Sequence, residues 1–168
     1  MIEPVSCVVF STADWDAPYW TNKQHTADLM GKRGTQVLYI ESVGLRAPNP
    51  SSVKDWSRLS KRLVTGLRSL LVGPTQVKRN VWVLSPLAIP FRHNHSLINW
   101  FNQSLLSFQV RRFLNCRKLK SPLIWTYHPF MLEVLREKAN GKLVYHCVDD
   151  LAAVPGVDAE LFRARENN

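Results

Sequence analysis

Acidic, aromatic and histidine side chains follow several apolar runs of this sequence, at places suited to a binding site. Asp14 and Trp15 lie in the stretch DWDAPYW, shortly after the apolar run VSCVVF. His128 follows the run PLIWTY, and Asp149 and Asp150 follow KLVYHCV. Aromatic rings pack against the C–H faces of sugars, and carboxylates accept hydrogen bonds from hydroxyl groups. Together these residue types favour a neutral, polyhydroxylated ligand.

The stretch DWDAPYW stands where nucleotide-binding α/β domains carry a glycine-rich phosphate loop. It has no glycine, and it contains three aromatic and two acidic residues. Glycines let the backbone approach a pyrophosphate closely, whereas two carboxylates repel that anion. We therefore expect this loop to bind something other than a pyrophosphate.

The residues that follow the loop add three candidates for ligand contact. Trp20 ends the stretch, and Gln24 and His25 open the next predicted helix, from which they could point into a cleft. Each candidate has a plainer alternative. Trp15 and Trp20 could seal the edge of the core, and Gln24 and His25 could belong to a solvated helix face.

The later candidates also leave alternatives open. His128 precedes Pro129, and it could bind a sugar hydroxyl, assist a proton transfer, or be satisfied by the backbone. Asp149 and Asp150 are neighbours, so only one of them can readily face a cleft while the other caps the following turn. His128 and Asp149 are the candidates for a catalytic role.

The elements that must position these residues follow an α/β pattern. Five apolar runs are continuous rather than alternating, which is typical of strands covered on both faces. Helical patterns between them predict one Rossmann-like domain over residues 1–168, with a doubly wound, mostly parallel sheet and helices on both faces. In such a sheet, ligands bind beyond the carboxyl ends of the strands. The predicted strands are 5–10, 35–41, 81–86, 122–129 and 142–150, and the predicted helices are 19–32, 57–72, 96–119 and 130–139.

Metal and membrane-spanning signals are weak or absent in the sequence. His93 and His95 have no third ligand nearby, so we expect no metal site. Cys7 and Cys147 lie in apolar strand-like runs and, with Cys116, predict reduced thiols in a cytoplasmic protein, the first two buried. No apolar run reaches 18 residues, so no membrane span is expected.

The positive charge is concentrated in the middle of the chain. Residues 54–120 hold 13 Lys and Arg against one acid, whereas the remainder holds 9 basic and 12 acidic residues. The leucine stripe of helix 57–72 has basic residues mostly beside it, which favours docking on an anionic membrane surface. The alternative is an ordinary sheet-covering helix with a solvated basic back. The residues predicted to face a membrane are Arg58, Lys61, Arg62, Arg68, Arg111 and Arg112.

The sequence resembles the N-terminal half of GT-B glycosyltransferases of the family 4 type that builds teichuronic acid or exopolysaccharide. The segments that carry the resemblance are DWDAPYWTNKQHTADLMGKRGTQVLYIES, VWVLSPLAIPF, LIWTYHPF and LVYHCVDDLAAVPGVDAE. It covers most of the chain and weakens through the basic middle. It implies two Rossmann-like domains, of which this N-terminal one receives the acceptor and needs no cofactor.

The resemblance further implies hexosyl transfer from a nucleotide-sugar, held by a C-terminal domain outside these 168 residues, to a saccharide or lipid-linked acceptor. This chain alone is then expected to be inactive, and the enzyme to be cytoplasmic and peripheral at the inner membrane face. The alternative is a non-enzymatic basic α/β module that binds nucleic acid or another polyanion. The expected acceptor-binding residues are Asp14, Trp15, Trp20, Gln24, His25, His128, Asp149 and Asp150.

Overall fold

The chain folds as an α/β domain around one mostly parallel sheet. The computed structural model describes residues 5–42, 53–87, 96–127 and 142–148, together with 150, 153, 159, 160 and 163. The elements run in the order β1 (Ser6–Phe10), α1 (Asn22–Lys32), β2 (Gln36–Ile40), α2 (Val53–Val72), β3 (Thr75–Lys78), β4 (Val81–Leu84), α3 (Ser96–Cys116), β5 (Leu123–Thr126) and β6 (Leu143–Tyr145).

The six strands lie in the order β3-β4-β2-β1-β5-β6. Every neighbouring pair is parallel except β3 and β4. Beyond the antiparallel edge strand, β1 stands in the middle, with two successive parallel strands on one side and two on the other. This is the order of a doubly wound Rossmann-like sheet, and its topological switch point lies between β1 and β5.

The central strands are apolar throughout because each covers a core on both faces of the sheet. Val8 and Phe10 of β1 belong to a cluster that includes Phe113 of α3. Cys7 and Val9, which alternate with them, belong to the opposite cluster, which includes Ala27 of α1. The sheet therefore has helices on both faces, as the continuous apolar runs predict.

Helix α1 is fixed at both ends by local sequence signals. At its start, the Gln24 side-chain oxygen accepts a hydrogen bond from the backbone N–H of Thr21 at 3.0 Å. At its end, Gly34 adopts a φ of 93°, and its N–H bonds to the carbonyl of Gly31. The N–H of Thr35 bonds to the carbonyl of Met30, which completes a Schellman motif. The helix therefore begins at the sheet's carboxyl edge and ends at its amino edge.

The structure corrects several predicted boundaries. The predicted helix 19–32 begins at Asn22, helix 57–72 begins at Val53, and helix 96–119 ends at Cys116, followed by Lys118 with a φ of 54°. The antiparallel strand β3 was not predicted, because its four residues TQVK are all exposed and form no apolar run. The predicted strand 142–150 ends at Tyr145.

Two predicted elements fall largely outside the described residues. The helix expected over 130–139 lies wholly outside them. The sequence also predicts a short helix near 158–165, of which residues 159, 160 and 163 are described and are helical.

Candidate ligand site at the carboxyl edge of the sheet

The carboxyl edge of the sheet gathers polar residues from each parallel strand. Ser11 follows β1, Glu41 follows β2, and Ser85 follows β4. Tyr127 follows β5, and His146 follows β6. Because the strands are parallel, these residues stand along one rim, with the β1 loop and the start of α1 beside them.

The loop after β1 is held by hydrogen bonds to its own backbone. The Ser11 hydroxyl donates to the carbonyl of Ala13 at 3.1 Å and accepts from the Ala13 N–H at 2.9 Å. The hydroxyl of Tyr39, on β2, donates to the same carbonyl at 2.9 Å and lies 2.6 Å from the Ser11 hydroxyl. Burial raises the pKa of Tyr39, so this hydroxyl keeps its proton.

Glu41 joins the loops after β1, β2 and β4. Its carboxylate accepts a hydrogen bond from the backbone N–H of Trp15 at 2.8 Å and another from the hydroxyl of Ser85. Burial raises the pKa of Glu41, and these two hydrogen bonds oppose that rise. The carboxylate therefore acts as a structural acceptor for the loop.

Gln24 fastens the loop to the first turn of α1. Its side chain is fully buried. Its amide donates to the carbonyl of Asp14 at 2.9 Å, and its oxygen accepts from the Thr21 N–H and from the Thr21 hydroxyl. The N–H groups of Ala13, Trp15 and Ala17 are all bonded within the protein. The loop thus does not present these amides to a phosphate, unlike a glycine-rich loop.

The two tryptophans of the loop pack against each other and against the core. Trp15 is 6% exposed, and its ring lies 4.8 Å from that of Trp20 and 5.1 Å from that of Tyr39, measured between centroids. The ammonium of Lys78 sits 4.6 Å from the Trp20 ring centroid, and exposed His25 lies edge-on to the same ring. Trp15 therefore supports the loop from inside, and Trp20 faces the side of α1 nearer the antiparallel edge strand.

Asp14 remains exposed at the rim beside a basic side chain. The guanidinium of Arg62, on α2, lies 3.4 Å from the Asp14 carboxylate, and both side chains are about half exposed. This pair connects α2 to the β1 loop. Surface ion pairs of this kind contribute little to stability. The pair matters here because it puts the Arg62 guanidinium beside the Asp14 carboxylate at the rim.

An open depression lies at the switch point between β1 and β5. About 210 Å³ of empty space lies in and above it, part of which is open solvent, so it is a shallow depression rather than an enclosed pocket for a whole drug-sized ligand. Its walls come from the β1 loop, the first turn of α1 and the ends of β5 and β6. The lining residues are Thr12, Lys23, Tyr127, Tyr145, His146, Cys147 and Val148.

The floor of the depression combines a buried cation with buried aromatic side chains. Lys23 is 8% exposed, and its ammonium lies 5.5 Å from the ring centroid of Tyr127, which is 3% exposed. The ring of His146 lies 5.0 Å from that of Tyr127 and 5.6 Å from that of Trp125. Burial raises the pKa of Tyr127, so its hydroxyl remains a hydrogen-bond donor.

The structure brings some predicted site residues together and separates others. Asp14, Trp15 and Gln24 meet at the β1 loop, although only Asp14 is exposed. Trp20 and His25 pack edge-on against each other and are not among the residues that line the depression. Asp150 is exposed, and its carbonyl accepts from the N–H of Ala153. His128 and Asp149 lie outside the described residues, so their predicted roles stay predictions, as do those of the other candidates.

Sequence reasoning missed Lys23, Tyr127 and His146. It extended the last two strands too far and so placed their carboxyl ends at residues 128–129 and 149–150, beyond the observed ends. Cys147 was expected to be buried in a strand, but it is exposed and follows β6. The strands end soon after the central apolar residues of each run. The first polar or aromatic residue after those central residues therefore marks the rim of the sheet, rather than the residue that follows the whole run.

The basic residues of α2 and α3 flank exposed apolar side chains. Arg62, Arg68, Arg111 and Arg112 are exposed, whereas Arg58 and Lys61 belong to α2 but have side chains outside the described part. Arg112 donates to the carbonyls of Leu70 and Leu71 at 3.1 and 3.4 Å. Among the α2 and α3 side chains that the structure describes, the exposed large apolar ones are Leu63, Val64, Leu67, Leu71, Val72, Trp100, Phe101 and Phe108.

The described part of the chain shows neither a metal-binding cluster nor a membrane-spanning helix. Among the described residues, no group of three or more His, Cys, Asp and Glu side chains is arranged to hold a metal ion. His93 and His95 lie outside those residues. Across the same described part of the chain, no helix combines the length and apolar character that crossing a membrane requires.

No protein-family model matches the chain, and no curated protein matches it significantly. Function is therefore inferred from the geometry of the carboxyl edge and from the surfaces beside it.

Proposed function

We propose that this chain is the acceptor-binding domain of a glycosyltransferase, which receives a saccharide or a lipid-linked saccharide at the carboxyl edge of its sheet. The observation that carries the proposal is a Rossmann-like sheet whose first loop bonds the amides of Ala13, Trp15 and Ala17 within the protein instead of offering them to a phosphate. Such a sheet retains a ligand crevice at its switch point. The loop that would hold a nucleotide is instead closed by bonds to Tyr39, Glu41 and Gln24.

The surroundings of the depression suit a saccharide. Tyr127 and Tyr145 line it with aromatic rings, and Thr12 and His146 add polar groups. Sugars bind where aromatic faces lie beside hydrogen-bonding side chains. A nucleotide-sugar donor would be held by a second domain, and the transferred sugar would pass to an acceptor positioned at this edge, in the synthesis of a cell-surface polysaccharide.

Nuclear magnetic resonance of the labelled chain tests this assignment. Glucose and maltose should shift the amide signals of Thr12, Lys23, Tyr127 and His146 at millimolar concentration. Uridine diphosphate-glucose, up to the same concentration, should leave the signals of Ser11 to Trp15 unchanged. Tight binding of the nucleotide-sugar at the β1 loop, or no response to either saccharide, would contradict the proposal.

A peripheral position at an anionic membrane is part of the proposal. Leu71 is 73% exposed on α2 and Trp100 is 67% exposed on α3, and exposed arginines lie on the same helices. Exposed apolar side chains flanked by basic groups favour the interface of an anionic bilayer, where each basic side chain adds roughly 1 kcal/mol. This position would bring the acceptor site to a lipid-linked substrate at the inner face of the membrane.

Binding of the same basic surface to nucleic acid remains the rival function. A nucleic-acid surface would need bases to stack on aromatic rings beside phosphate-binding side chains. Trp100, Phe101 and Phe108 provide exposed rings on the same helix as the exposed Arg111 and Arg112, so the rival has a specific surface. The two functions differ in whether exposed leucines of α2 are needed for binding.

A further inference from the structure

Three polar atoms without partners converge beside the depression at the switch point. The hydroxyl of Tyr127, Nδ1 of His146 and Nε1 of Trp125 are buried, and none has a hydrogen-bond partner within the described part of the protein. Thr26 and Trp125 approach the Tyr127 hydroxyl closely enough to oppose the rise in its pKa, but neither meets hydrogen-bond geometry. Buried polar groups without partners are uncommon in folded proteins and often mark a site for a bound group.

A cation stands at the same place. Lys23 lies in the first turn of α1, where the N-terminal end of the helix also carries partial positive charge. Its side chain is more than nine-tenths buried, lines the depression and lies over the Tyr127 ring. A buried ammonium interacts more strongly with an anion than an exposed one, because water screens the pair less.

The donor character of these groups selects the kind of ligand atom. An ammonium can only donate hydrogen bonds, and a tyrosine hydroxyl with a raised pKa retains its proton to donate. Carboxylate and phosphate oxygens are acceptors, and they accept charge-assisted hydrogen bonds from an ammonium. A hydroxyl group of a neutral sugar would gain no charge assistance from Lys23.

We infer that the depression is a subsite for an anionic oxygen group, a carboxylate or a phosphate, carried by the saccharide acceptor. The inference rests on the proposed function, which puts a saccharide at this edge, and it names the acceptor as an acidic one. The depression is shallow and open to solvent, so it would receive one such group rather than enclose a nucleotide. Tyr127 and Lys23 form the floor, and His146 closes the side next to β6.

The cysteines of the chain provide a direct test. Cys147 is exposed and lines the depression, Cys116 is exposed at the opposite edge of the sheet, and Cys7 is buried. A bound acid should slow alkylation of Cys147 and leave alkylation of Cys116 unchanged, whereas alkylation of Cys7 would report loss of the fold. Rates measured by mass spectrometry at increasing ligand concentration give an affinity for each probe.

The probes are chosen to separate the acidic group from the sugar. Glucose, glucuronate, glucose 1-phosphate and inorganic phosphate differ in whether they carry a ring, a carboxylate or a phosphate. We expect glucuronate or glucose 1-phosphate to protect Cys147 at concentrations at least about tenfold lower than glucose does, since a charge-assisted hydrogen bond contributes that much. Whichever of these two sugars protects Cys147 at the lower concentration shows whether the anionic group is a carboxylate or a phosphate. Protection by inorganic phosphate alone would contradict an anionic group carried by a saccharide.

Variants of two lysines on α1 complete the design. Lys23→Met should abolish the preference for the acidic sugars, Lys23→Arg should restore part of it, and Lys32→Met, at the far end of the helix, should leave it unchanged. If Cys7 becomes reactive in Lys23→Met, that variant has lost its fold. The Lys23→Arg variant and the wild-type preference for acidic sugars then still test the inference. Equal protection by glucose and glucuronate in the wild type would overturn the inference and leave the saccharide proposal standing. Protection by no sugar would overturn both.

Discussion

The backbone N–H of Trp15 donates to the carboxylate of Glu41 at 2.8 Å, so the loop after the first strand is fastened to the end of the second. The other carboxylate oxygen accepts from Ser85 after β4, which joins three neighbouring strand ends. This bond, with those of Tyr39 and Gln24, gives a glycine-free loop one conformation without any bound phosphate. The rim of the candidate site is therefore preorganised by its own side chains.

Replacing Glu41 tests how much its two hydrogen bonds contribute to the free energy of unfolding. Glu41→Ala leaves the buried N–H of Trp15 without its acceptor, and we expect the free energy of unfolding to fall by about 1–3 kcal/mol. Glu41→Gln keeps an oxygen for Trp15 and offers an amide to the Ser85 hydroxyl, so it should cost clearly less. Urea unfolding followed by tryptophan fluorescence measures both variants. Equal losses would mean that charge, rather than the two hydrogen bonds, makes the side chain important.

Gly31 sets the distance between α1 and the sheet. A Cβ atom at this position would lie 2.5 Å from Cγ2 of Val81 and 3.1 Å from the carbonyl oxygen of Arg79. Alanine normally favours a helix over glycine, but here overpacking, which typically costs about 1–3 kcal/mol, outweighs that gain. Gly31→Ala should therefore lower the melting temperature. Leu29→Ala, at an exposed position of the same helix, is the matched control and should change it little; a stabilised Gly31→Ala would show that the helix can move outward.

The fold was predictable from the sequence where apolar runs fill both faces of the sheet, as in β1 and β2. It was not predictable where pairing with a neighbour decides the outcome. The residues of β3 are all exposed and form a strand only because they pair with β4. The apolar run at β6 continues to Val148, but β6 ends at Tyr145 because its neighbour β5 ends at Thr126, whose carbonyl accepts the last hydrogen bond, from His146.

The candidate site was predictable in one respect and hidden in another. The absence of glycine and the two acids of DWDAPYW predict that this loop does not hold a phosphate, and the internal bonds of the Ala13, Trp15 and Ala17 amides are consistent with that prediction. The burial of Trp15 depends on Tyr39 and Glu41, which lie more than twenty residues away, and no local pattern shows this. From the sequence alone, Lys23 is indistinguishable from a solvent-exposed helix residue. It is buried because α1 packs beside Tyr127.

Burial of Cys7 makes the stability of the protein fall at high pH. Its pKa rises from 9.0 to about 12 because the thiolate would lose its hydration. The unfolded chain therefore releases this proton near pH 9 and the folded chain only near pH 12, so the contribution is complete below pH 9 and is lost as the pH rises toward 12. The limiting slope for one thiol is about 1.4 kcal/mol per pH unit.

Urea unfolding of the wild type and Cys7→Ala in the presence of a reductant, between pH 7 and 11, measures this contribution. Tyr39 and Tyr127 also have raised pKa values and act in the same direction, but they remain in both proteins. The difference in unfolding free energy between the two proteins should therefore be constant up to about pH 9 and shrink above it. A constant difference up to pH 11 would mean that Cys7 ionises as readily in the folded chain as in the unfolded one.

The exposed surface of α2 and α3 distinguishes membrane docking from nucleic-acid binding through two paired changes. Arg68→Gln with Arg111→Gln removes two exposed charges, and should weaken sedimentation with vesicles containing phosphatidylglycerol by about thirtyfold, at roughly 1 kcal/mol per charge. Leu67→Ser with Leu71→Ser removes exposed apolar contacts and keeps every charge. A bilayer interface needs both sets of residues, whereas a phosphate backbone needs mainly the charges.

For a membrane surface, we expect the leucine variant to lose binding to the anionic vesicles and the wild type to ignore vesicles of phosphatidylcholine alone. A 20-nucleotide single strand provides the comparison, and its binding should be weak and unaffected by the leucine changes. If the leucine variant binds anionic vesicles as the wild type does, while the oligonucleotide binds at low micromolar concentration with a steep salt dependence, the apolar stripe is not a docking element. The basic surface would then belong to a polyanion-binding module, because electrostatic attraction alone would account for both results.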